Sequence, residues 1–213
     1  MMTDPVFPSI AIIGTGLIGA SIARAAAEYG AAGSISLYDV SDDVRQRAAG
    51  LGLGDVAETL QAAVADADCV LLCVPVGALA AVAAAAVPHM KTGAILTDVG
   101  SVKGEAAAAL MAADDGRVHI IPGHPIAGTE QSGPEAGFAT LFRDAWYILT
   151  PEPSTDEAYL AGVDALTRFW QALGSKVETM DSARHDRVLA ITSHLPHLSA
   201  FNIVATAFDV ETV

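Results

Sequence analysis

His124 lies in the run Gly123-His124-Pro125-Ile126-Ala127-Gly128-Thr129-Glu130-Gln131-Ser132-Gly133, whose residue types suit chemistry rather than packing. An imidazole has an unperturbed pKa of ~6.5 and so exchanges a proton near neutral pH. Thr129 and Glu130 add groups that can hydrogen-bond a bound small molecule. The glycines make the run a poor helix, so it reads as a shaped pocket wall. The apolar stretch Val118-His119-Ile120-Ile121 just before it reads as a buried strand. Buried parallel sheets carry their ligand sites at the carboxyl ends of the strands. His124 is thereby the candidate general base. Asp98-Val99-Gly100-Ser101-Val102-Lys103 ends the preceding strand. Ser101 is the second candidate catalytic residue, able to hydrogen-bond both a substrate hydroxyl and the imidazole. Lys103 reads equally as a functional cation or as a solvated surface charge, and Asp98 as a functional carboxylate or as a cap of its turn.

More imidazoles follow in His185-Asp186 and Ser193-His194-Leu195-Pro196-His197. His194 and His197 are three apart and share a helix face. His197 reads as reaching over the sheet edge to hold an anionic substrate. His185, nine residues before His194, faces elsewhere; for both, structural and supporting roles stay open. A metal is not expected, because no Cys or carboxylate falls at a ligand spacing such as H-E-x-x-H.

The elements that must position these groups are legible in outline. Ser9 to Ile13 is a short apolar strand, Gly14-Thr15-Gly16-Leu17-Ile18-Gly19 turns the chain, and Ala20 to Tyr29 is an Ala-rich helix. Gly14, Gly16 and Gly19 thus match G-x-G-x-x-G between a strand and a helix. The first permits the turn, the second admits a pyrophosphate, and the third lets helix and strand pack closely. Leu17 and Ile18 open the helix whose N-terminus would face the phosphates. Asp39, at the end of a second strand, would accept hydrogen bonds from a ribose and repel a 2′-phosphate, which favours NAD over NADP. Val74 and Pro75, ending the strand Cys69 to Val74, complete the cofactor set. FAD uses the same fingerprint and is the lesser alternative. Further strands are read at Ala94 to Thr97, Ala145 to Leu149 and Lys176 to Thr179, alternating with helices. The fold class is α/β, a Rossmann-type, mostly parallel sheet over residues 1–180.

From 181 to 213 the pattern turns helical, the expected start of an all-helical second domain that is mostly absent from this chain. Pro196 should kink the run. Val188 to Phe208 carries no Asp, Glu, Lys or Arg over 21 residues. That length would cross a bilayer. Its histidines, Ser193, Ser199 and Asn202 argue instead for a helix buried on most sides between domains or subunits, and no membrane role is expected. The net charge of −14 argues against nucleic acid. Cys69 and Cys73 share a strand but lie too far apart to bridge, which fits reduced thiols in a cytoplasmic protein. Met1-Met2-Thr3-Asp4-Pro5 has no basic segment, so no signal peptide is expected.

The four motifs occur in one order: Gly14-x-Gly16-x-x-Gly19, Asp98-x-Gly100-Ser101-x-Lys103, Gly123-His124-Pro125-x-Ala127-Gly128-x-Glu130-x-Ser132-Gly133 and Ser193-His194-Leu195-Pro196-His197. Together they closely resemble the prephenate/arogenate (cyclohexadienyl) dehydrogenases of tyrosine biosynthesis, from about residue 10 onward. Ile126 stands where that family would have Met. The resemblance implies NAD-dependent oxidative decarboxylation of prephenate or arogenate. His124 would be the base, Ser101 the orienting hydroxyl, and His197, Thr129 and Glu130 substrate contacts. It also implies a homodimer built through a helical domain that supplies an Arg for the substrate carboxylate; no residue here is assigned that role. Two other readings are a 3-hydroxyacid-type dehydrogenase and a non-catalytic NAD-binding protein. The first wants a Lys on the long helix after the sheet, where this chain has Arg184, Arg187 and histidines.

Overall fold

The computed structural model describes residues 4–211. Met1 to Thr3, the start of the segment read as lacking a signal peptide, and Thr212 and Val213, the end of the helical run, lie outside the described residues. Six strands, β1 (Phe7–Ile13), β2 (Ala32–Tyr38), β3 (Asp55–Val56), β4 (Cys69–Leu72), β5 (Ile95–Asp98) and β6 (His119–Ile120), form one sheet in the order β3-β2-β1-β4-β5-β6. Every pairing in it is parallel. The connections carry helices α1 (Leu17–Glu28), α2 (Asp42–Gly50), α3 (Leu60–Val64), α4 (Leu79–Ala86) and α5 (Lys103–Met111). This is the Rossmann-type sheet expected from the alternating pattern. The chain leaves β1 for one side of the sheet and later returns to β4 on the other, so the crevice between their carboxyl ends is the switch point.

The strand period of two builds the core on both faces. Ile10 and Ile12 of β1 join one cluster with Ile22, Leu37 and Leu71, whereas Ala11 and Ile13 join the other with Val70, Leu72 and Leu96. Helix starts are fixed locally: Ser41 Oγ accepts from Val44 N, Asp156 from Ala158 N and Asp181 from Arg184 N. Helix α1 is different. Its N-cap is Gly16, with no side-chain cap and no acidic residue in its first turn.

A second sheet was not foreseen. Strands β7 (Gly123–Pro125), β8 (Trp146–Leu149) and β9 (Lys176–Thr179) line up as β7-β8-β9, the first pair antiparallel. The stretch read as a pocket wall therefore begins as a strand, with His124 opposite Ile148. Gly, His and Pro have little strand propensity, and the pairing with β8 overrides it. Helix α6 (Glu157–Ala172) packs Phe169 and Trp170 into the first cluster, where Trp170 stacks on Tyr147 at 3.9 Å between ring centroids.

Helix α7 (Ser182–Leu189) leads through a π-helical turn, Ala190–His194, into α8 (Leu195–Glu211). The disturbance expected at Pro196 thus takes the form of a widened turn just before it. The cover this helix needs, expected from another domain or subunit, is not supplied by the described residues of this chain. Ser182–Phe208 is long and apolar enough to cross a membrane, and only 6% of its most apolar window is buried. Ile191, Leu198, Phe201 and Ile203 are all more than 60% exposed.

Candidate active site

The glycine turn sits at the switch point. Gly14 has φ of +96°, and a Cβ there would meet the Cys73 carbonyl oxygen at 2.4 Å. A Cβ on Gly19 would fall 2.0 Å from the Gly14 carbonyl oxygen, so the third glycine is needed for contact between helix and strand. Gly16 is different: a Cβ there meets nothing within 4 Å. The space beside it is free of protein and opens on the uncapped N-terminus of α1. A cleft of about 580 Å³ lies here, lined by Gly14, Gly16, Asp39, Val74 and Pro75, with Tyr38, Val40 and Ala78 among the other walls. Leu17 and Gly19 are buried behind it. Ile18 packs against the core, so Leu17 and Ile18 offer only backbone to the cleft. Asp39 accepts from Thr15 N at 2.9 Å and Ser41 N at 3.0 Å, which holds its carboxylate at the rim. A narrow cradle, free N–H groups and a fixed carboxylate fit a pyrophosphate and a ribose.

Lys103 corrects the surface-charge reading. It is fully buried, with Nζ 2.5 Å from Asp98 Oδ2 and donating to the Gly123 carbonyl at 2.7 Å. Burial pushes its pKa down, while the Asp98 carboxylate opposes that shift. Asp98 is more than a turn cap: besides Gly100 N it accepts from Gly123 N at 3.3 Å. The ion pair therefore grips Gly123 by both its N–H and its carbonyl, and sets the backbone on which His124 stands.

His124 is half-buried, and its Nδ1 lies 2.9 Å from His185 Nε2. His185 is fully buried, and its Nδ1 lies 2.8 Å from Asp186 Oδ1. Sequence spacing leaves His185 undecided; the packing of α7 against α5 brings it to His124. Burial drives the His124 pKa down from 6.5 to about 3, assisted by Lys103, His185 and His194. The ring is neutral at ordinary pH, ready to accept a proton.

A cavity of about 860 Å³ opens over His124. Ser101, Thr129, Glu130 and His197 all line it, so the structure gathers every residue named for substrate or catalysis. Ser193, His194, Leu189 and Phe201 complete the wall contributed by the helical segment. Ser101, Thr129, Glu130 and His197 are exposed, open to an incoming ligand. Among the described residues no cluster of three or more His, Cys, Asp or Glu could hold a metal ion. Since β5 neighbours β4, the cavity beyond β5 lies next to the cleft beyond β4.

A Rossmann-type sheet with a glycine cradle at its switch point and a neutral imidazole beside it defines a nucleotide-binding dehydrogenase domain. Residues 22–179 match the model of the prephenate dehydrogenase nucleotide-binding domain. The chain belongs to the prephenate dehydrogenase family. Cyclohexadienyl dehydrogenase of Zymomonas mobilis is 48% identical over 208 residues, covering 97% of this chain and 69% of that protein. Prephenate dehydrogenase of Bacillus subtilis is 32% identical over 198 residues, 92% of this chain and 53% of that one. The crystal structure of Aquifex aeolicus prephenate dehydrogenase in complex with hydroxyphenyl propionate and NAD+ superposes with a TM-score of 0.82 at 34% identity. That match covers 93% of this chain and 68% of the other. The chain spans about half the length of the Bacillus relative and about two thirds of the other two.

Proposed function

We propose that this protein catalyses the NAD-dependent oxidative decarboxylation of prephenate to 4-hydroxyphenylpyruvate, of arogenate to tyrosine, or of both. The observation that carries it is the single cavity shared by Ser101, His124, Thr129, Glu130 and His197, next to the glycine cradle. NAD, held by Gly14, Gly16, the start of α1 and Asp39, supplies the hydride acceptor. His124 takes the ring hydroxyl proton as hydride leaves the same carbon. Ser101 holds the hydroxyl toward the imidazole. Loss of CO2 then leaves the bonding pair to complete the aromatic ring, which makes the reaction effectively irreversible. His197 reads the substrate's carboxylates, with Thr129 and Glu130 at the rim. The 3-hydroxyacid reading has less support: α7 carries no lysine, and Lys103 is committed to Asp98. Work in the cytoplasm, with no membrane or nucleic-acid partner, agrees with two unbridged cysteines and a charge of −14. A homodimer is part of the proposal, supported by the exposed apolar helix. NADH formation, followed by its absorbance, with prephenate, arogenate and 3-hydroxyisobutyrate offered in turn tests it. We expect turnover with prephenate, arogenate or both and none with the third; turnover confined to the third would reject the assignment.

A further inference from the structure

We infer that His185 and Asp186 form a positioning relay that fixes His124 in the one tautomer able to act as a base from the cavity side. The inference rests on the proposed role of His124. Asp186 is where the relay starts. Its Oδ1 accepts from Lys103 N at 2.8 Å and its Oδ2 from Gly104 N at 2.9 Å, at the first turn of α5, which has no side-chain cap of its own. Burial works against this carboxylate, but the Gly104 N–H, the His185 ring and the Lys103 N–H outweigh it and hold its pKa below the ordinary carboxylate value. An ionised carboxylate only accepts hydrogen bonds. His185 Nδ1, 2.8 Å away, must therefore be the donor.

A neutral imidazole carries one proton. With that proton on Nδ1, His185 Nε2 is an acceptor. His124 Nδ1, 2.9 Å from it, is then the donor. The nitrogen left with a lone pair is His124 Nε2, on a ring that lines the substrate cavity. The relay runs one way because its far end is acceptor-only. It also serves the step itself. When Nε2 takes up the substrate proton, the new imidazolium already donates through Nδ1 to His185, with the Asp186 charge behind it. The charged and titratable groups around His124 are Lys103 on α5, His185 and Asp186 on α7, and His194 in the π-helical turn, with Glu130 and His197 lining the same cavity. Of the first four, Asp186 alone favours the protonated ring, and it acts through His185.

The relay makes a prediction independent of turnover. Two-bond ring 15N–1H correlation spectra of the ring-labelled chain, with His124 and His185 assigned by substitution, read the tautomers directly. We expect both rings neutral and protonated at Nδ1. In His185→Ala the His124 ring should shift toward the Nε2-protonated form, with NAD affinity within about twofold of the parent. His185→Gln, whose amide oxygen can accept from His124 Nδ1, should restore the parent tautomer, and it serves as the readout if the alanine variant does not fold. Turnover should fall on the order of 10–100-fold in His185→Ala, in kcat rather than KM, and its acid limb should move. Asp186→Asn should do the same to a lesser degree. A parent chain with His124 already protonated at Nε2, or a His185→Ala ring and pH profile indistinguishable from the parent, would overturn the relay. A chain with the expected tautomers that oxidises neither prephenate nor arogenate would leave the relay standing and reject the proposed reaction.

Discussion

His124, Lys103 and Gly14 show how differently single residues declare themselves. Gly14 is legible because its constraint is local: a φ of +96° and a carbonyl 2.4 Å from any added Cβ follow from a turn the motif spells out. Gly14→Ala should therefore abolish nucleotide binding, or the fold with it, as calorimetry and circular dichroism would show. Asp39 is legible for the same reason. Asp39→Ala should narrow the preference for NAD over NADP in a titration of both, and tighter NADP binding by the parent chain would count against the ribose reading. Lys103 was half-missed, because nothing in its neighbours in sequence reveals that the chain folds Asp98 and Gly123 around it. Replacing it by Ala leaves the Asp98 carboxylate buried without its partner. That costs about 3–5 kcal/mol, visible as a lower denaturant midpoint.

Among the elements, period and punctuation predict the parallel sheet apart from β3, because each other βα unit carries its own apolar strand and turn whereas Asp55–Val56 is too short and too polar to read as a strand. The second sheet is not legible in sequence because β7 is three residues of low strand propensity, and its identity depends on β8, more than twenty residues away. The contact between α7 and β7 was equally hidden. A helical wheel drawn through a regular helix misplaces His185 relative to His194, because the π-helical turn between them shifts the register. The junction has a pH signature. The His124 pKa is lowered from 6.5 to about 3, and that of His185 is lowered too, in both cases by burial first. As pH falls below 6.5 the unfolded chain takes up these protons before the folded one does. Stability should be complete above that value and decline as pH drops toward the folded pKa. Melting temperatures measured from pH 7 down to 4 should fall, and fall less steeply in His124→Asn; parallel slopes would contradict the burial of the ring.

For the whole molecule, the charge-free run from Val188 to Phe208 is legible as a helix that needs cover from another domain or subunit, and within the described residues of this chain it stays exposed, because a sequence shows that a face needs cover but not what supplies it. Contiguous exposed apolar surface of this kind marks an interface. We expect the chain to self-associate through Ser182–Phe208, or to be clipped there by protease while residues 7–179 survive. Light scattering showing only monomers, with that helix resistant to digestion, would contradict this. The same helix carries His194 and His197 to the cavity, so in the proposed reading assembly and catalysis meet on one element. His124 as the base of an NAD-linked oxidation of prephenate or arogenate is tested by setting His124→Asn beside the parent in the protein expressed from its whole gene, with NAD affinity and turnover measured on both. Affinity should be nearly unchanged and turnover lowered roughly 10²–10⁴-fold; near-normal turnover in the variant would end that role for His124.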